Sequence, residues 1–213
     1  MDLSKCRALV TGASTGIGLA VAEALRAKGA TVGINGRDAA RLAAAASAVG
    51  ASAHAGDVGV EADAQRIVAD FVRQHGGIDL LVNNAGFGRF AALVDATSAD
   101  VEAVWRTNVL GAFHMGREVA RHLVAQRSGA IVNVSSTAGT KGFAGGTAYA
   151  GSKFALRGMT ECWRDELRRH DVRVLLVNPS EVLTEFSTRA GASRRSRRRS
   201  SCPRTSRTPS WRR

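Results

Sequence analysis

Six short apolar runs alternate with five helix-length segments along this chain, and that alternation restricts its fold more than any other feature. The runs fall at residues 8–10, 31–34, 52–55, 78–82, 130–134 and 172–177, and the helical segments at about 16–28, 39–48, 61–75, 98–126 and 147–170. The strand runs are too uniformly apolar to have a wet face, so they belong to a sheet covered on both sides. Right-handed strand–helix–strand crossovers then predict an α/β fold: a doubly wound, mainly parallel sheet with helices on both faces. Ligands of such sheets bind outside the carboxyl ends of the strands.

The first of those ends carries Thr11-Gly12-Ala13-Ser14-Thr15-Gly16-Ile17-Gly18, set directly between a strand and an Ala- and Leu-rich helix. A strand feeding a glycine turn into a helix N-terminus leaves backbone N–H groups pointing outward, where they bind phosphate oxygens with the help of the helix dipole. Gly12 permits the turn, Gly16 lets a pyrophosphate approach the backbone, and Gly18 allows close packing. An ordinary tight βα turn is the plainer reading of the same residues, and the surrounding βαβ framework argues against it.

Tyr149, the only tyrosine, stands four residues before Lys153, so a helix presents both on one face. A free phenol titrates near about 10 and needs a nearby cation to work as an acid or base at neutral pH. Thirteen residues before Tyr149, Ser136 ends an apolar run, and further upstream lie Asn108 in a helical stretch and the run Asn83-Asn84-Ala85-Gly86. Each has a bland reading as a capping serine, a buried helix asparagine or a surface lysine. Their joint placement at strand ends, or on the helices that follow, favours a site.

With a TGxxxGxG loop at Thr11 to Gly18, an NNAG motif at Asn83 to Gly86 and the quartet Asn108, Ser136, Tyr149 and Lys153, the chain resembles a short-chain dehydrogenase/reductase with a Rossmann-type fold over about residues 5–188. The resemblance implies hydride transfer between a nicotinamide coenzyme and a small-molecule carbonyl or alcohol, with no metal. It implies that Tyr149 is the acid or base and that Ser136 hydrogen-bonds the reacting oxygen. Lys153 is expected to hold the nicotinamide ribose and lower the Tyr149 pKa, and Asn108 to help order a water that returns protons. Ser14, Thr15 and Ile17 join the three loop glycines in holding the coenzyme, as do Asn84, Ala85 and Gly86 and, beside Lys153, Tyr149 itself. Asp57 and Val58 flank the adenine, with a turn as the alternative role for Asp57; Pro179, Val182 and Thr184 fall near the carboxamide.

Coenzyme choice turns on Gly33-Ile34-Asn35-Gly36-Arg37-Asp38, where no acid ends the strand. Arg37 offers a guanidinium fork to a 2′-phosphate, favouring NADP over NAD, while Asp38 reads as a helix N-cap. Phe87, Phe143 and Phe186 are expected to line a mostly apolar pocket, and Ser180 departs from the family's usual glycine. The likeness slightly favours a 3-oxoacyl thioester or similar ketone.

Residues 190–213 hold nine of the thirty basic residues and none of the eighteen acidic ones, so the body carries only +3 of the net +12. Such a segment lacks the apolar pattern needed to fold, and disorder is expected from about Gly191. The chain thus reads as one domain over 1–189, lacking the family's usual last strand, followed by a basic tail. A shifted reading frame accounts for the tail better than nucleic-acid binding through phosphate contacts does, although both remain open. Without the family's usual substrate-covering segment and last strand, weak or absent turnover is expected. Three alternatives therefore stand: an active oxidoreductase, a catalytically crippled coenzyme-binding remnant, and a tail-driven nucleic-acid binder. Cys6, Cys162 and Cys202 follow no metal or disulfide spacing, and no signal or membrane-length apolar run appears, which points to the cytoplasm. Helices 98–126 and 147–170 are expected to support a homo-oligomer.

Overall fold

A computed structural model describes residues 2–180, so the expectations for Val182, Thr184, Phe186 and the tail at 190–213 lie outside the described residues. Strands β1 (Arg7–Val10), β2 (Thr31–Gly36), β3 (Ser52–Ala55), β4 (Leu80–Asn83), β5 (Gly129–Val134) and β6 (Val172–Val177) form one sheet in the order β3-β2-β1-β4-β5-β6. Every pairing is parallel. The helices are α1 (Gly16–Ala27), α2 (Ala39–Val49), α3 (Glu61–His75), α4 (Ser98–Trp105), α5 (Ala112–Gln126) and α6 (Thr147–Arg168). The order reverses between β1 and β4, and at such a switch point adjacent loops part to leave a crevice.

The uniformly apolar strands are explained by where alternate residues go. Ala8 and Val10 of β1 enter one core with Leu80 and Val82 of β4 and with Ala22, Leu42 and Ala46 from α1 and α2. Leu9 and Leu81, between them in sequence, enter the opposite core with Ile67 and Phe71 of α3 and Met115, Val119 and Leu123 of α5. In β1 and β4 both faces are buried, so the alternation has no polar half, whereas β6 at the sheet edge departs from the expectation and exposes Arg173, Leu175 and Val177 on one face.

One expectation needs correction. The single helix predicted over 98–126 is three pieces, because a π-helical turn, Arg106–Gly111, separates α4 from α5. An inserted π turn rotates the following side chains without any change in composition, so apolar periodicity does not reveal it; such turns often mark functional sites. Here it buries Thr107, Asn108 and Gly111 together. Val58 fills the space left by Gly111, where a Cβ would meet its Cγ2 at 2.6 Å.

A polar ladder fixes the end of β4 beneath the crevice. Asn83 donates to the Ala112 carbonyl and to Asn133 Oδ1, Asn133 donates to Thr160 Oγ1, and Thr160 donates to the Leu156 carbonyl. These buried bonds lock β4, β5, α5 and α6 in one register, since leaving any member unpaired costs about 1–3 kcal/mol. No helix among the described residues is long and apolar enough to cross a membrane.

Candidate active site

The crevice at the switch point is a cleft of about 1420 Å³, lined at one end by the glycine loop, Arg37, Asp57 and Val58, and at the other by Ser136, Tyr149 and Lys153. Its loop end is built by short-range contacts that only glycines allow. Gly12 and Gly16 adopt φ of 61° and 62°, in the left-handed region. Gly18 is needed for a different reason: its missing Cβ would lie 2.5 Å from Asn84 Nδ2. That amide instead donates to the carbonyls of Thr11 and Gly12. Thr11 Oγ1 accepts from the backbone N–H groups of Asn84 and Ala85 at 3.0 Å each, joining the β1 and β4 ends.

At the β2 end, Asp38 is the N-cap of α2, accepting from the Arg41 N–H at 3.0 Å and pairing with its guanidinium at 3.3 Å. Arg37, Asp38 and Arg41 all line the cleft and are exposed, and of the three only Arg37 has its charge outside this cap and ion pair. Asp57 fills the turn role, since its Oδ1 accepts from the Gly59 N–H at 2.9 Å, and it also lines the cleft. Val58 lines the cleft next to it, and its carbonyl meets His114 Nδ1 at 3.2 Å.

Ser136 likewise combines two roles. Its hydroxyl caps a short 3₁₀ turn, Thr137–Gly139, by accepting from the Ala138 N–H at 3.1 Å, and it hydrogen-bonds the Tyr149 phenol. Lys153 is not a surface lysine: it is 4% exposed, and its Nζ donates to the Val134 carbonyl at 2.9 Å. Burial brings its pKa down to about 8. The ammonium lies 5.8 Å from the centre of the Tyr149 ring.

In the protein without coenzyme, burial pushes the Tyr149 phenol pKa up, and the Ser136 hydrogen bond acts in the opposite direction. Desolvation disfavours the phenolate and the ammonium alike, so the protein by itself keeps the phenol protonated. The Asn108 side chain is held by three hydrogen bonds. Its Nδ2 donates to the Phe87 carbonyl and Ser152 Oγ, and its Oδ1 accepts from the Phe87 N–H. It clamps the loop after Gly86 onto α6.

Asn84, Ala85, Gly86, Phe87, Phe143, Pro179 and Ser180 line the cleft as expected from position. Sequence reasoning missed Phe90 and Lys141, which also line it, and Asn35, whose Nδ2 donates to the carbonyls of His54 and Gly56. Phe90 and Lys141 lie in loops, where no periodicity marks an inward side chain. Asn35 is polar within an apolar strand, a signal that was available. Among the described residues no group of three or more His, Cys, Asp or Glu is placed to hold a metal ion.

Comparison with known proteins adds independent findings. A sequence profile described as short chain dehydrogenase matches residues 7–195. A gluconate 5-dehydrogenase of Gluconobacter oxydans is 36% identical over 193 residues, spanning 88% of this chain and 75% of that protein. A 3-oxoacyl-(acyl-carrier-protein) reductase of Thermotoga maritima is 41% identical over 123 residues, which is 58% of this chain and 50% of that protein. Among solved structures, the 3-ketoacyl-(acyl-carrier-protein) reductase of Brucella melitensis complexed with NADH matches with a TM-score of 0.85 at 29% identity, over 87% of this chain and 79% of that one.

Proposed function

This chain belongs to the short-chain dehydrogenase/reductase family of oxidoreductases, and from that premise we propose that it is an NADP-dependent enzyme that interconverts a ketone and its alcohol. The observation that carries this reading is the single cleft with a glycine cradle and Arg37 at one end and Ser136, Tyr149 and Lys153 at the other. The residues fit a dinucleotide: left-handed Gly12 and Gly16 keep the loop free of side chains where phosphate oxygens approach. Ser14, Thr15, Ile17 and Gly18 complete the cradle. Asp57 and Val58 take the adenine, Asn84 to Gly86 the nicotinamide-side ribose wall, and Pro179 the nicotinamide edge, with Val182 and Thr184 assigned beside it.

When bound, the reduced coenzyme supplies the hydride that adds to the carbonyl carbon, sending the C=O π pair to oxygen. Tyr149 donates its phenolic proton to that oxygen, and Ser136 donates a hydrogen bond to it as charge grows. Lys153 holds ribose hydroxyls with its ammonium and returns a proton towards Tyr149. Asn108 positions these groups by fixing Phe87 and Ser152 around them. In the alcohol-to-ketone direction Tyr149 must first lose its proton, which its raised pKa opposes; the oxidised coenzyme's positive charge is the missing stabilising term.

NADP is preferred because Arg37 is exposed on the cleft while Asp38 is spent on the α2 cap and on Arg41. The Brucella melitensis reductase was solved with NADH, so the preference rests on these side chains and not on kinship. The same reading makes the chain a cytoplasmic homo-oligomer that acts on a small molecule without a nucleic-acid partner. Its test is a pair of fluorescence titrations with NADPH and NADH. We expect NADPH to bind at least about ten-fold tighter, and Arg37→Ala to remove the difference. Equal affinities in the unaltered chain would refute the coenzyme assignment.

A further inference from the structure

The catalytic end of the cleft carries side chains that neither coenzyme binding nor proton transfer uses. Phe90 meets the Tyr149 ring edge-on, with centroids 5.7 Å apart and planes at 81°, and lies 5.8 Å from Phe143. Both phenyl rings are seated on glycine: a Cβ on Gly88 would fall 2.7 Å from the Phe90 ring, and one on Gly146 would fall 2.7 Å from the Phe143 ring. Both rings thus lie close against glycine backbone, and Phe90 stands beside the proton donor. Phe143 nevertheless stays 49% exposed while lining the cleft, so a large apolar surface is turned to a cavity and not to the core.

Lys141 stands two residues before Phe143, and its backbone N–H donates to the Thr137 carbonyl at 3.2 Å, tying it to the turn that Ser136 caps. It is exposed and lines the same cleft. No carboxylate among the described residues pairs with it; those lining the cleft, Asp38 and Asp57, belong to the coenzyme end. Arg89, near this end, is already paired with Asp100 at 3.6 Å.

These features select between substrate chemistries. Hydroxyls of a polyhydroxylated substrate that were buried on the side of the two phenyl rings would find no hydrogen-bond partner there, while Thr137, Lys141 and Ser180 line the cleft elsewhere. A flat apolar body gains contact against such rings, and a substrate anion gains from an ammonium that no carboxylate among the described residues pairs with.

We propose that the substrate is an oxo acid: a ketone whose apolar body packs against Phe90 and Phe143 beside Tyr149 and whose carboxylate pairs with Lys141. This names the substrate class of the site read above, and it rests on that reading. Tyr149 and the bound coenzyme would convert it to the corresponding hydroxy acid.

The test is calorimetric titration of the full 213-residue chain. NADPH is titrated first, on its own. The chain is then titrated, both alone and saturated with NADP⁺ so that no reduction occurs, with benzoylpropionate and with its neutral methyl ester. We expect the acid to bind about ten-fold tighter than the ester, and Lys141→Gln to abolish that preference without weakening the ester. Phe143→Ala should weaken both ligands to a similar extent, about five-fold. Equal binding of acid and ester, a preference that survives Lys141→Gln, or no binding of either ligand overturns the proposal. The NADPH titration reports separately on the coenzyme reading: NADPH bound without acid preference defeats the oxo-acid class alone. Acid preference without coenzyme binding defeats the dehydrogenase reading while the Lys141 site stands.

Discussion

At the scale of single residues, the site depends on a missing atom as much as on the groups that are present. Gly18 sits in α1, where alanine is intrinsically the better helix former, yet a Cβ there would lie 2.5 Å from Asn84 Nδ2 and 2.7 Å from the Gly12 carbonyl. Gly18→Ala must push Asn84 off the two carbonyls it holds. We expect a loss of about 1–3 kcal/mol in urea unfolding, with weaker NADPH binding measured on the same preparation. Tyr149→Phe acts differently. It removes the proton donor and leaves Lys153 and the glycine loop in place to hold the coenzyme, so turnover should fall by at least about a hundred-fold while NADPH affinity stays within about two-fold. Undiminished ketone reduction by this variant would reassign the acid. Gly18 and Tyr149 were both legible in the sequence, because a motif position names them. That burial would raise the Tyr149 pKa was not, since only the folded surroundings set that balance.

At the scale of elements, β3 and α3 carry a device unrelated to the cleft. Ser52 Oγ lies 2.8 Å from His54 Nε2 and 2.9 Å from His75 Nε2, bridging an edge strand to the end of the neighbouring helix. A hydroxyl has one hydrogen to give, so at least one of the two imidazoles must donate to it. His54 is buried, and desolvation, reinforced by His75 and Arg66 against Asp70, lowers its pKa to about 4. The unfolded chain therefore binds a proton at His54 near pH 6.5 that the folded chain refuses until about pH 4. Stability should fall as pH drops through that window, by about 3 kcal/mol in total from this group. Thermal melts between those pH values should show the slope, and His54→Gln should flatten it. A slope unchanged in that variant would place the acid sensitivity elsewhere. The helix over 98–126 gives the converse lesson about legibility. Its ends were predictable from the apolar period, but the π turn at Arg106–Gly111 was not, because inserting one residue into a turn changes hydrogen bonding without changing composition.

At the scale of the whole molecule, the α4–α6 side remains apolar and uncovered. Trp105, Leu110, Phe113 and Phe154 are each exposed there to between 37% and 48%, on neighbouring elements. A surface of that kind suits association with a second copy. Sedimentation should show a dimer at micromolar concentration, and Phe113→Glu with Phe154→Glu should yield a monomer that still melts cooperatively. A monomeric unaltered chain would remove these helices as the contact. The sequence by itself determined the parallel α/β architecture, because two-sided burial forces uniformly apolar strands, and it determined the glycine loop and the Ser136, Tyr149 and Lys153 set, because each must stand at a fixed offset from a strand end. Only the tertiary structure decided that Asn108 clamps Phe87, that Lys153 is buried against Val134, and that Phe90 and Lys141 share the catalytic end of the cleft. Those outcomes depend on contacts between residues far apart in the chain and on the solvent they exclude, and neither quantity is encoded in a local pattern.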